Sequence, residues 1–106
     1  MNIQFKKGVL ELCVLSMLTG SDKYGYELSS LITEKIDVAD GTIYPVLRRL
    51  KSDGFVTTYL RESNEGPPRK YYKLTDGGEK EKMLLNADWK AFVAGLEQLI
   101  ESEGAA

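Results

Sequence analysis

Between residues 41 and 75 the chain carries seven basic side chains, Arg48, Arg49, Lys51, Arg61, Arg69, Lys70 and Lys73, against three acidic ones, Asp53, Glu62 and Glu65. A local surplus of +4 suits an anionic partner. Four of the seven are arginines, whose planar guanidinium can fork onto guanine or phosphate. Elsewhere the sign reverses: residues 76–106 hold three basic and seven acidic side chains, and the whole chain sums to −2. The asymmetry between segments is more informative than the total. Other chemistries lack their reagents. There is no histidine and one cysteine among 106 residues, which removes the commonest general base, the commonest metal ligand and any cysteine-rich zinc site. The carboxylates are scattered and form no recognisable acid–base pair, so neither an enzyme nor a metal site nor a bound cofactor is expected.

The elements that must position these charges follow from the apolar spacing. Residues 6–19 read as a helix apolar on nearly every side, from Val9 to Leu18, and such a helix needs two surfaces to pack on. Residues 24–35 form a second helix, with Asp22 as its expected cap. Residues 41–53 form a third, in which Ile43, Val46, Leu47 and Leu50 make a one-sided stripe. Thr42 is the expected cap there, Pro45 fits the first turn, and Gly54 sits where a left-handed closing residue belongs. The period then changes to two. FVTTYLRES (55–63) and RKYYKLT (69–75) read as strands around a turn at NEGPP (64–68). A long helix over 76–101 follows, started by Thr75 or Asp76, with Glu79 placed to answer Asp76 in a capping box.

The order helix, helix, helix, hairpin has a functional meaning. With its stripe turned inward, the third helix points Gly41, Pro45, Arg48 and Ser52 outward, with Tyr44 and Arg49 on its flanks. Low bulk followed by arginine is what close approach to a major groove requires. Arg69 and Lys70 open the second strand beside the turn, where a hairpin would touch sugar-phosphate. The expected fold is mainly α with a two-stranded β-wing: a winged helix-turn-helix DNA-binding domain over 1–75, and a C-terminal dimerisation helix with a frayed tail over 76–106.

YGYEL (24–28), DGTIYPVLRRLKSDGFV (40–56) and GPPRKYYKLTDGG (66–78) resemble the PadR family of bacterial transcriptional regulators. The short C-terminal part is similar to the family's short, single-C-terminal-helix (LmrR-like) subgroup. The resemblance implies a homodimer on double-stranded DNA at a palindromic operator, and usually repression relieved by a small-molecule effector. It also implies DNA contacts from Thr42, Tyr44, Arg48 and Arg49 in the recognition helix, from Tyr26 and Ser29 in the second helix, and from Arg69 and Lys70 in the wing. Trp89 falls where the subgroup carries a pocket tryptophan, and Phe5, Leu12, Ser16, Phe92 and Val93 would line the same space.

The residues themselves also ask for a second copy. Leu85, Trp89, Phe92, Leu96 and Leu99 are spaced four, three, four and three, a short heptad seam. Left open, it would be a larger apolar patch than a monomer tolerates. Seam aromatics need no ligand to justify them, so packing is the first expectation for Trp89, with a planar aromatic ligand as the second. Cys13, on the buried first helix, is expected to be a structural thiol. No apolar run is long enough for a membrane span, and the interrupted N-terminal stretch is not a convincing leader, so the expected setting is the cytoplasm. The overall acidity motivates an alternative, a winged-helix protein-interaction module without sequence-specific DNA binding.

Overall fold

The computed structural model describes residues 3–104, with side chains from residue 8. Its elements are α1 (Ile3–Gly20), β1 (Lys23–Tyr24), α2 (Gly25–Lys35), a 3-10 turn (Asp40–Thr42), α3 (Ile43–Ser52), β2 (Val56–Ser63), β3 (Gly66–Leu74) and α4 (Asp76–Gly104). The three strands form one antiparallel sheet in the order β1-β3-β2. The core lies among α1, α2, α3 and the root of the hairpin. Leu10, Val14, Leu15 and Leu18 meet Leu28 and Ile32, the whole stripe Ile43, Val46, Leu47 and Leu50, and Val56 with Tyr72. Burial pushes the Tyr72 phenol above its ordinary pKa; neighbouring Tyr44 adds to the rise and Arg48 opposes it. Cys13 is half-buried at the edge of this core, and desolvation raises its thiol as well, which is the setting of an unreactive cysteine.

Several boundaries differ from the sequence expectations, each for a local reason. Asp22 does not cap α2. It accepts a 2.8 Å hydrogen bond from the Tyr59 hydroxyl, and the chain from Lys23 to Tyr24 is extended because it pairs with Tyr71 and Tyr72 of β3. The wing is therefore continued by a third, two-residue strand, too short to show a period. Thr42 precedes α3 but makes no side-chain cap bond, because it already has helical backbone angles at the end of the 3-10 turn. The turn at the wing tip is tighter than NEGPP suggests. Ser63 faces Gly66, and a register shift between Arg61 and Ser63 absorbs the extra residue. Pro67 and Pro68 consequently lie inside β3. Prolines are tolerated at an irregular, open edge, and β1 reaches only Tyr71 and Tyr72 on that side of the strand.

The exit from α3 and the entry to α4 are knotted together. Gly54 has φ +80°, and around it the Phe55 amide donates to the Leu50 carbonyl (2.9 Å) and the Gly54 amide to the Lys51 carbonyl (3.1 Å). This is the Schellman closure that the glycine allows. Thr75 then starts α4. Its Oγ1 accepts from the Gly78 amide at 3.0 Å and donates to the Gly54 carbonyl at 2.7 Å, while its own amide donates to the Phe55 carbonyl. Glu79 answers no capping box. Its carboxylate pairs with Lys82 one turn on. From this root α4 runs for 29 residues with Gly78 as its one buried residue, beside α1 at first and then beyond it. Lys82 also donates to the Thr19 hydroxyl at the end of α1 (2.9 Å).

Gly78 is the contact that permits the knot. A Cβ there would collide with the Phe55 carbonyl oxygen and lie 2.7 Å from Leu74 Cδ1 and 3.0 Å from the Phe55 carbonyl carbon. Helix propensity alone would favour alanine at this position by about 1 kcal/mol. The collision is with backbone, so overpacking outweighs propensity. Gly78→Ala is expected to destabilise the domain by about 2 kcal/mol net, which lowers the melting temperature by roughly 10 °C. Thermal unfolding followed by circular dichroism checks this, and a melting point at or above the parent's would refute the close-approach account.

Candidate nucleic-acid interface

The buried stripe of α3 fixes what its other side presents. Pro45, Arg48 and Ser52 are exposed, as helical spacing requires, Gly41 is exposed in the 3-10 turn before them, and Tyr44 is 38% exposed at the flank. The two arginines have different surroundings. Arg48 is exposed. Arg49 is half-buried, and its Nη2 forms an ion pair with the Glu11 carboxylate of α1. The outward cation of α3 is therefore Arg48, with Lys51 one turn on, while Arg49 ties α3 to α1. A part-buried pair of this kind contributes about 1 kcal/mol at most, so its importance is orientation.

On α2, Tyr26 is 68% exposed in the first turn, whereas Ser29 is buried. The Ser29 hydroxyl faces inward and donates to the Asp40 carbonyl at 3.4 Å. It positions the approach to α3 and does not reach the surface. Thr42 is half-buried where that approach joins the helix. In the wing Arg69 and Lys70 are both exposed but on opposite faces, since they are adjacent in β3. Lys70 is aligned with Leu60 and Arg69 with Arg61.

The face that carries Arg69 holds a feature that sequence reading missed. Tyr24, Tyr71 and Tyr59 lie side by side across the three strands, with neighbouring ring centroids 5.6 Å apart. Tyr26 stacks on Tyr24 at 6.4 Å. Arg61 lies over Tyr71 and Arg69 over Tyr24, with guanidinium carbons 4.4 and 4.6 Å from the ring centroids. Such contacts contribute about 0.5–1 kcal/mol each at exposed sites. The Tyr59 phenol is pushed up, first by its hydrogen bond to Asp22 and then by desolvation. The signal was available in the alternation of the two strands, which puts Tyr59 with Arg61 and Arg69 with Tyr71. What the sequence lacked was the register that brings the pairs together.

The residues expected around a ligand divide in a similar way. Leu12, Trp89 and Phe92 line one cleft of about 260 Å³ between α1 and α4, together with Gly8, Val9, Leu85 and Asp88. Trp89 and Phe92 stack with centroids 6.1 Å apart. Ser16 is exposed and Val93 half-buried, and neither lines this cleft. The Phe5 side chain lies outside the described residues. Of the seam, Leu85 packs partly against the core, while Trp89, Phe92, Leu96 and Leu99 are exposed on a single chain. Among the described residues no group of three or more His, Cys, Asp or Glu side chains could hold a metal ion, and no helix is long and apolar enough to cross a membrane.

This arrangement has close counterparts. A protein from Streptococcus mutans superposes with a TM-score of 0.83 at 33% identity, over 90% of this chain and 89% of that one. A PadR-like transcriptional regulator from Bacillus cereus gives 0.80 at 35% identity, over 92% and 97%. In sequence, the negative transcriptional regulator PadR of Bacillus subtilis is 30% identical over 77 residues, which are 69% of this chain and 42% of that longer protein. The model of the transcriptional regulator PadR-like family matches residues 14–83, the span from the middle of α1 through the wing and into the first turns of α4. The chain is a transcriptional regulator of the PadR-like family, and its winged helix is that family's DNA-binding fold.

Proposed function

We propose that the protein is a dimeric repressor that binds a palindromic operator and is released by a small planar, aromatic ligand. The observation that carries the DNA reading is the exposed face of α3, low in bulk at its start and bearing Arg48 at its centre. The name of the Bacillus subtilis relative, a negative regulator, supports repression. In this reading Arg48 reaches base edges while Tyr26, Tyr44 and Lys70 meet the backbone. Work on DNA places the protein in the cytoplasm.

The dimer reading rests on the exposed seam. Trp89, Phe92, Leu96 and Leu99 are between 38 and 68% exposed, and a two-fold partner presenting the same stripe buries all four. The acidic α4 then stands away from DNA, and the two recognition helices reach half-sites about 34 Å apart or a multiple of that. The ligand reading rests on the cleft at Trp89, whose walls are apolar except for Asp88. A pocket of this kind takes a flat apolar molecule against the indole face, and the single carboxylate favours one that carries a positive charge.

Arg48→Ala is expected to weaken binding to the promoter upstream of the protein's own gene by about 1–3 kcal/mol per half-site. Arg49→Ala is expected to act mainly on stability, by releasing Glu11. Lys70→Ala weakens specific and random duplexes alike. Gel-shift titrations over several salt concentrations, with urea unfolding alongside, separate the three, and the absence of salt-dependent binding to that promoter would sink the DNA reading.

Leu96→Glu should convert the dimer to a monomer in sedimentation velocity. An unchanged sedimentation coefficient would mean that the seam is not the interface. The single tryptophan makes the ligand reading testable directly. Cationic planar aromatics should quench its fluorescence in a saturable way, and the effect should weaken in Asp88→Asn. A flat response across neutral and cationic members of such a panel would leave Trp89 a packing residue.

A further inference from the structure

The outer face of the wing is built in rows. One row across the sheet is Tyr24, Tyr71 and Tyr59, and the next row toward the tip is Arg61 opposite Arg69. Like charges directly opposite one another destabilise an antiparallel pair, so this row works against the wing's own stability. Neither arginine belongs to an ion pair among the described residues, although Glu62 and Glu65 are close in sequence and exposed. Each guanidinium leans diagonally onto a ring of the tyrosine row, Arg61 on Tyr71 and Arg69 on Tyr24. The tyrosines are themselves held, by β1 pairing at one side and by the Tyr59–Asp22 hydrogen bond at the other.

We propose that Arg61 and Arg69 form a paired guanidinium site for the sugar-phosphate backbone of duplex DNA, with Tyr71 and Tyr24 as positioning residues. The proposal rests on the DNA-binding reading above and adds to it a contact, Arg61, and a means of holding both. A cation seated on an aromatic face keeps its N–H edges free for an acceptor, which a carboxylate partner would occupy. An anion between the two guanidiniums also removes their mutual repulsion, so the cost of the row in the free protein becomes affinity in the complex. Ordering two long side chains in advance reduces what binding must spend on them. A phosphodiester chain suits the site because Lys70 and the Arg48 face of α3 add positive charge to the same domain, which a single small anion would not use.

The test is fluorescence anisotropy with a labelled random-sequence duplex of about 20 base pairs, titrated at several salt concentrations between roughly 50 and 200 mM. Arg61→Gln should lower the slope of log K against log salt by about 0.9 for each chain in contact with the duplex. Tyr24→Leu should weaken binding several-fold with its charges intact, and Tyr24→Phe, which keeps the ring under Arg69, should restore it. Thermal midpoints accompany each variant. If Tyr24→Leu unfolds early, Arg61→Gln decides alone, because Arg61 is exposed and its replacement leaves the sheet register unchanged. An unchanged slope in Arg61→Gln, with the unmodified protein binding normally, overturns this proposal and leaves the DNA reading standing. Equal losses in Tyr24→Phe and Tyr24→Leu overturn the positioning role. No binding by the unmodified protein at any salt overturns both readings together.

Discussion

Much of this molecule depends on a few atoms where α3 ends and α4 begins. Gly54 turns the chain left-handed, Phe55 offers its carbonyl, and Thr75 takes the Gly54 carbonyl with its hydroxyl while capping α4. Gly78 lets the two backbones approach where no other residue fits. The helix that reads as a DNA-facing element and the helix that carries the apolar seam are thus joined across a rigid corner, although more than twenty residues of hairpin separate them in sequence. The direction in which α4 leaves the domain is set there. So is the angle between the seam and the exposed face of α3.

Charge follows the same division. The acidic surplus sits on α4, and the basic surplus on α3 and the wing. Neighbouring segments of opposite sign do not cancel at a binding surface, because exposed charges are screened within about 8–10 Å in physiological salt. A net charge of −2 is therefore compatible with a surface that attracts phosphate. Within the basic half the cations are not equivalent. Arg49 is neutralised by Glu11, Arg61 and Arg69 rest on tyrosines, and Arg48 has neither kind of partner among the described residues.

What was legible in the sequence is what depends on periodicity. The α3 stripe is buried residue for residue, and its outward residues are exposed as spacing requires. The closing glycine at 54 was readable, and the start of α4 was readable to within Thr75 or Asp76, because each is a local motif with a fixed geometry. Expectations failed where a residue answers to something distant. Asp22 looked like a cap and serves Tyr59 instead, thirty-seven residues away. Ser29 looked like a surface hydroxyl and is buried against Asp40. Gly78 costs helix propensity at the start of α4 and is the residue that lets the helix pack. The tyrosine row needed three strands in register, and one of those strands is two residues long.

The remaining link is α1, whose even apolarity reflects its position between two jobs. Leu10, Val14, Leu15 and Leu18 fill the core, while Val9 and Leu12 form one wall of the cleft at Trp89. Glu11 stands beside Leu12 in the chain and holds Arg49 of α3. The wall of the cleft and the tie to α3 are therefore adjacent residues of one helix. Close-packed interiors do not absorb displacement by compressing. An α1 that moved at its Leu12 face would carry Glu11 with it, so the tie to Arg49 of α3 answers to the same helix that lines the cleft.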